Sequence, residues 1–148
     1  MSSSLDDLAA RFSSRAIAKA EWTHLAHLRV GAWHVHHFGP EGALGRLRAG
    51  IRALNDSHGT SNTDSSGYHE TITVAYVRLI DAFLSAFGAD LALEDRVRVL
   101  LDGPLADRAV LLRFWSKEVL LSPRARRDWV PPDIAPLAVP ADALDPPR

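Results

Sequence analysis

Two stretches of this chain of 148 residues carry side chains whose types and spacing could do chemistry: Glu21-Trp22-Thr23-His24-Leu25-Ala26-His27-Leu28 and Tyr68-His69-Glu70-Thr71-Ile72-Thr73. Burying an imidazole is costly unless it finds a partner, and a metal ion is a partner that suits several at once. On a helical wheel of about 100° per residue, His24 and His27 stand roughly 60° apart. Both fall inside the apolar sector formed by Leu28, Gly31, Val35 and Phe38. His69 falls inside the sector of Ile72, Tyr76, Leu79 and Phe87, with Glu70 at its border. Three imidazoles from two helices are therefore expected to face the interior. His24, His27 and His69 would supply three nitrogen ligands to one zinc or iron(II) ion, leaving positions open for water or substrate. Glu70 is the expected catalytic group, as a ligand, as a partner orienting an imidazole, or as a general base. A carboxylate in a first helical turn is also what the helix dipole favours by itself, and the choice stays open. Trp33, Tyr68, Thr71 and His34 are placed along the substrate pocket.

The same histidines admit a second reading, in which backbone carbonyls, a tyrosine hydroxyl or a carboxylate satisfy them without metal. Two functions follow: a small metal-dependent enzyme acting on a small molecule, or a non-catalytic ligand-binding or interaction module with hydrogen-bonded core histidines. A homo-oligomer with sites between subunits stays open. Glu21-x-x-His24 is similar to the ligand pairs of di-iron bundles, but the second such motif is missing. His36 and His37 project outward, and His58 sits in a polar loop. Arg124, Arg126 and Arg127 form a basic run near Trp129, read as a solvated face before an anion site.

The elements that must position these residues are helical. Leu5, Leu8 and Phe12 predict a short helix capped by Ser4. A second helix is expected from about Glu21 to Phe38, stopped by Gly39-Pro40, and a third from about Glu41 to Leu54. Residues 55–67 are polar and small and form a loop. A fourth helix is expected from about Tyr68 to Phe87, and a fifth from about Leu91 to Leu101, capped by Asp90. A sixth is expected from about Ala106 to Ser116 or Leu121. From Ser122-Pro123 onward seven prolines argue against regular structure. That region is expected to be an extended strap, Trp129 to Leu137, ending in a mobile tail. The prediction is an all-α, single-domain bundle of five to six helices over residues 1–121, with a proline-rich strap over 122–148. If the helices run up, down and up, His24 and His69 lie at the same end.

Composition narrows the function classes. Formal net charge is −1 and there is no cysteine, which excludes disulfides and thiolate chemistry and leaves His and carboxylates as ligands. Neither nucleic acid nor a membrane is expected as partner, since no basic balance and no apolar span is present. A small-molecule substrate and a cytoplasmic location are the expectations, the N-terminus lacking the basic and apolar regions of a secretion signal.

The pattern His24-x-x-His27-Leu28, an aromatic at Trp33, and Tyr68-His69-Glu70-Thr71-Ile72-Thr73 after a helix and loop resembles an uncharacterised family of small bacterial proteins. The resemblance covers roughly residues 20–88, with weaker similarity from Ser122-Pro123 to Leu137. It implies a shared site built from polar interior residues and names no substrate.

Overall fold

Ser4 starts the first helix: its hydroxyl accepts the Asp7 N–H at 3.1 Å, and Asp6 and Asp7 lie in the first turn, where the helix dipole favours them. Helix α1 (Leu5–Ser13) buries Leu5, Leu8, Ala9 and Phe12. These positions belong to a computed structural model that describes residues 4–144.

Thr23 caps α2 (His24–Ser57) through a 3.2 Å bond from the Ala26 N–H. The helix thus begins three residues later than the apolar pattern suggests, and Lys19–Glu21 forms a separate 3-10 turn. Inside α2, Gly39 leaves helical geometry at φ 72°, ψ 172°, a left-handed φ that glycine tolerates, and Pro40 opens the second limb. The chain folds back there. His27 and Asn55 line the same cavity, whereas a straight helix rising about 1.5 Å per residue would hold them roughly 40 Å apart. The third limb is α3 (Glu70–Ala86), which packs against α2 and puts Leu79, Ile80 and Phe83 in the core. His24 and His69 consequently meet at one end of the bundle, as the up-down-up order requires.

Helix α1 lies across the second limb of α2 at Gly50, where an added Cβ would stand 2.4 Å from two ring atoms of the buried Phe12. Gly50→Ala is expected to lower stability by about 1–2 kcal/mol through overpacking, read as the shift of a urea unfolding midpoint. An unchanged midpoint would mean that the Phe12 ring gives way freely.

Later elements also differ from expectation. Helix α3 starts at Glu70 because His69 is its N-cap, outside the helix. Helix α4 (Leu93–Asp102) has Ala92, not Asp90, at its N-cap, with no side-chain cap bond. The segment expected as one helix from Ala106 is instead two 3-10 turns, Pro104–Ala106 and Val110–Arg113, followed by the short α5 (Lys117–Leu120). Local polar groups cut it up. The Asp107 carboxylate accepts the Ala109 N–H at 2.9 Å, and Ser116 caps α5 through the Val119 N–H.

Ser122 and Pro123, read as the onset of irregular chain, in fact cap and open α6 (Pro123–Arg127). The strap itself follows over residues 128–139. The Val130 N–H donates to Thr71 Oγ1 at 3.1 Å, the Trp115 indole N–H donates to the Val130 carbonyl at 2.9 Å, and the Ile134 N–H donates to the Phe114 carbonyl at 2.9 Å. Trp129 meets the edge of the fully buried Trp115. Past the strap, a turn at Ala141–Ala143 buries Ala143, so the chain is anchored up to there; residues 145–148 of the expected tail lie outside the described residues. No helix among the described residues is long and apolar enough to cross a membrane.

Candidate functional site

The start of α2, the second limb of α2 and the first half of α3 enclose a cavity of about 1030 Å³, walled on its remaining side by residues 108–121. That volume is of the size that holds a small organic molecule. Its floor is apolar, with Leu28, Ile51, Ile72, Val77 and Ile80 among the lining residues. Set into this floor and its mouth are four histidines, His24, His27, His58 and His69. All three expected metal ligands thus reach one cavity.

Each imidazole is held by a backbone carbonyl. His24 Nε2 donates to Leu105 at 3.1 Å, His27 Nδ1 to Thr23 at 2.7 Å, His58 Nε2 to Ile17 at 2.7 Å, and His69 Nε2 to Leu120 at 2.8 Å. Because a carbonyl only accepts, each contact fixes the nitrogen that carries the proton. The second nitrogen decides what the ring can still do. His69 has used its own: Nδ1 accepts the Ile72 N–H at 3.1 Å as the cap of α3. A metal could take that lone pair only by uncapping the helix. In His24 the remaining Nδ1, and in His27 the remaining Nε2, have no partner among the described residues.

Electrostatics keep these rings neutral. Burial is the largest influence on His24 and His69 and lowers both pKa values, only partly offset by their carbonyl bonds. His27, stacked on Trp22 at 3.7 Å, is crowded by protein on the cavity side, which pushes its pKa down to about 4. His27 is nonetheless exposed at the cavity mouth, not turned to the interior as expected, and solvent tempers that shift; its direction still favours the neutral ring.

Tyr76 completes the group. Its ring meets His24 edge-on at 5.3 Å, and its hydroxyl is the one buried side-chain polar atom among the described residues with no hydrogen-bond partner. Burial raises its pKa to about 12, so it stays a proton donor. An orphaned hydroxyl without accessible surface, on a residue that lines a cavity, calls for a partner that the described residues do not provide and that a small side-chain shift would let it reach.

Glu70 lies elsewhere. Its carboxylate is gripped by Arg48, whose Nε stands 2.9 and 3.1 Å from its two oxygens and whose Nη2 also donates, and it accepts the Tyr68 hydroxyl at 2.6 Å. Burial alone would raise this carboxyl; Arg48 and Tyr68 overcome that and hold it below the usual carboxylate range. Tyr68 lines the cavity but spends its hydroxyl on Glu70, and Arg52 covers its ring at 4.5 Å. The other expected pocket residues stand outside the cavity. Trp33 donates to Asp6 at 2.7 Å, His34 is buried against Phe12 with Nδ1 on the Val30 carbonyl, and Thr71 bridges α3 to the strap at Asp128 and Val130. Glu21 pairs with Arg11, and His36 and His37 are exposed. In the basic run, Arg126 donates to the Gly67 carbonyl and Arg127 to Asp64. Among the described residues no three His, Asp or Glu side chains converge closely enough to share a metal ion.

The wheel that located the histidines passed over Tyr76 as core. The signal was available: it lies two turns along from His69, a phenol in a row of apolar side chains.

Fold and site together define a small all-α bundle with a histidine-lined cavity at one end. No family model, curated protein or solved structure matches the chain.

Proposed function

We propose that this chain binds a small organic molecule in the cavity between α2 and α3, with its apolar part on Leu28, Ile51 and Ile80 and its polar head at His24, His27 and Tyr76. The observation that carries this reading is the buried Tyr76 hydroxyl, unpartnered among the described residues, on a ring that meets His24 in a cavity that His27 also lines, both imidazoles keeping a lone pair. Tyr76 would donate to the ligand, and His27 Nε2, whose lone pair is uncommitted among the described residues, is suited to take a proton from a bound molecule that has one to give. Ligand-observed NMR with a mixed set of neutral, anionic and cationic aromatic fragments tests it. Binding to the wild type, weakened in Ile51→Trp, which sets a bulky ring on the apolar floor, is the expected result. Tyr76→Phe should leave stability unchanged or raise it by up to about 1 kcal/mol, because the hydroxyl it removes has no partner, while weakening polar-headed fragments. Fragments that bind Ile51→Trp as well as wild type would contradict the reading.

A second reading is favoured by one observation. His24 and His27 each fix one ring nitrogen on a carbonyl and leave the other free, which is how metal-ligating histidines are held. They would hold one zinc or iron(II) ion with water or substrate completing the sphere, and a bound ion would polarise a substrate oxygen or lower the pKa of bound water. Titration calorimetry with zinc separates the two. Metal binding lost in His27→Ala and retained in His69→Ala supports a two-histidine site, and no zinc binding to the wild type removes it.

A further inference from the structure

We propose that the ligand of this cavity is an organic carboxylate with an apolar body, an aryl or short-chain acid, whose carboxylate sits between Arg108 and the Tyr76 hydroxyl. The inference rests on the cavity being a ligand site and names the class of molecule it takes. Three observations carry it.

The first is charge segregation. The chain has 17 basic and 18 acidic residues, yet the cavity is lined by four cationic side chains, Lys19, Arg108, Lys117 and Arg126, and by no Asp or Glu. Arg126 is engaged with the Gly67 carbonyl. Lys19, Arg108 and Lys117 have no carboxylate within ion-pair distance among the described residues. Outside the cavity Arg11, Arg48, Arg98, Arg113 and Arg127 pair with acids, while Arg46, Arg52 and Arg78 lie over aromatic rings. A rim of unpaired cations over a low-dielectric floor concentrates field lines and selects anions.

The second is the Tyr76 hydroxyl, a buried donor awaiting an acceptor, and the third is where Arg108 stands. It lines the cavity with His24, His27 and Tyr76, and its positive charge bears on all three of them. Its neighbour Asp107 acts in the opposite sense, less than Arg108 at His24 but more at Tyr76; its carboxylate accepts the Ala109 N–H and does not line the cavity. A guanidinium fork at the mouth and a phenol inside are two donors for one carboxylate, which accepts through both oxygens. A phosphate or sulfate has no apolar body to set on the floor of Leu28, Ile51 and Ile80. A cationic ligand would meet the rim with like charge.

Isothermal titration of the full chain with 2-naphthoate, 2-naphthamide and 2-naphthylmethylamine, matched in shape and differing in charge, tests this. Wild type is expected to bind the carboxylate at least tenfold more tightly than the amide, and the amine most weakly. Arg108 is exposed, so Arg108→Glu should fold, as circular dichroism will confirm; it is expected to reverse the order, the amine then binding more tightly than the carboxylate. If the amide binds wild type as tightly as the carboxylate, the anion preference falls while the cavity stands as a ligand site. If Arg108→Glu leaves the preference unchanged, the assignment to Arg108 falls. Failure of all three probes on wild type overturns the inference together with the cavity reading on which it rests.

Discussion

Replacing Glu70 with alanine is expected to destabilise the protein by about 2–3 kcal/mol, because it strips the shared acceptor from two donors at once. Arg48 would lose a bidentate partner and Tyr68 a 2.6 Å bond, and the phenol is buried. The cost stays below that of a fully interior ion pair because Arg48 remains 41% exposed on its outer side. The site has a signature in pH. The Glu70 pKa is lower in the folded chain than its ordinary 4.5, so the unfolded state binds the proton more readily. Its contribution is therefore complete above about pH 4.5 and is lost as pH falls through the folded value. Urea unfolding between pH 3 and 7 should show a shallower acid decline for Glu70→Gln than for wild type. Equal slopes would mean that Glu70 is not held by Arg48 and Tyr68 in solution. Activity or ligand affinity lost in Glu70→Gln with stability intact would instead return Glu70 to the chemical role that its place in the sequence suggests.

His69→Ala is the second large effect, expected at about 2–3 kcal/mol. One part is the N-cap, worth roughly 1 kcal/mol at a typical helix start. The other is the orphaning of the Leu120 carbonyl, which loses its donor at a buried junction between α3 and α5. His69→Asn separates the two, since asparagine caps well but is too short to restore the contact with α5. It should recover about half of the loss. The measurement is the urea midpoint of the three proteins under one buffer. Equal loss in alanine and asparagine variants would place all of the energy in the Leu120 contact and none in the cap.

Those two residues show what could be read in the chain before its structure. The helices were legible because their signals are local: Ser4 caps, Gly39-Pro40 breaks, and apolar residues recur at helical spacing, although the Thr23 cap was passed over for a start at Glu21. The short polar link and fold-back were enough to place His24 and His69 at one end. What the wheel could not give was the second partner of each side chain. His69 and Glu70 are adjacent, and one residue of phase decides that the first caps α3 and points to Leu120 while the second turns to Arg48, 22 positions earlier in the chain. A pairing at that distance leaves no trace in spacing. The segment 104–121 failed for a related reason: its apolar pattern is helical, but Asp107 and Ser116 capture backbone N–H groups and break it into turns. The cationic rim was invisible because Lys19, Arg108, Lys117 and Arg126 come from four separate stretches of sequence.

The central claim is that the cavity at this end of the bundle, with Tyr76 and His27 as its polar groups, is where a small molecule binds. Its most direct test is amide and aromatic chemical-shift mapping of the labelled full chain during titration with the fragment found to bind best. Shifts concentrated on His27, Tyr76, Ile80 and residues 108–112, and absent from Trp33 and His37 on the far side of the first limb, are the predicted result. Shifts centred on Trp33 and His37, or none at saturating fragment, would contradict the account.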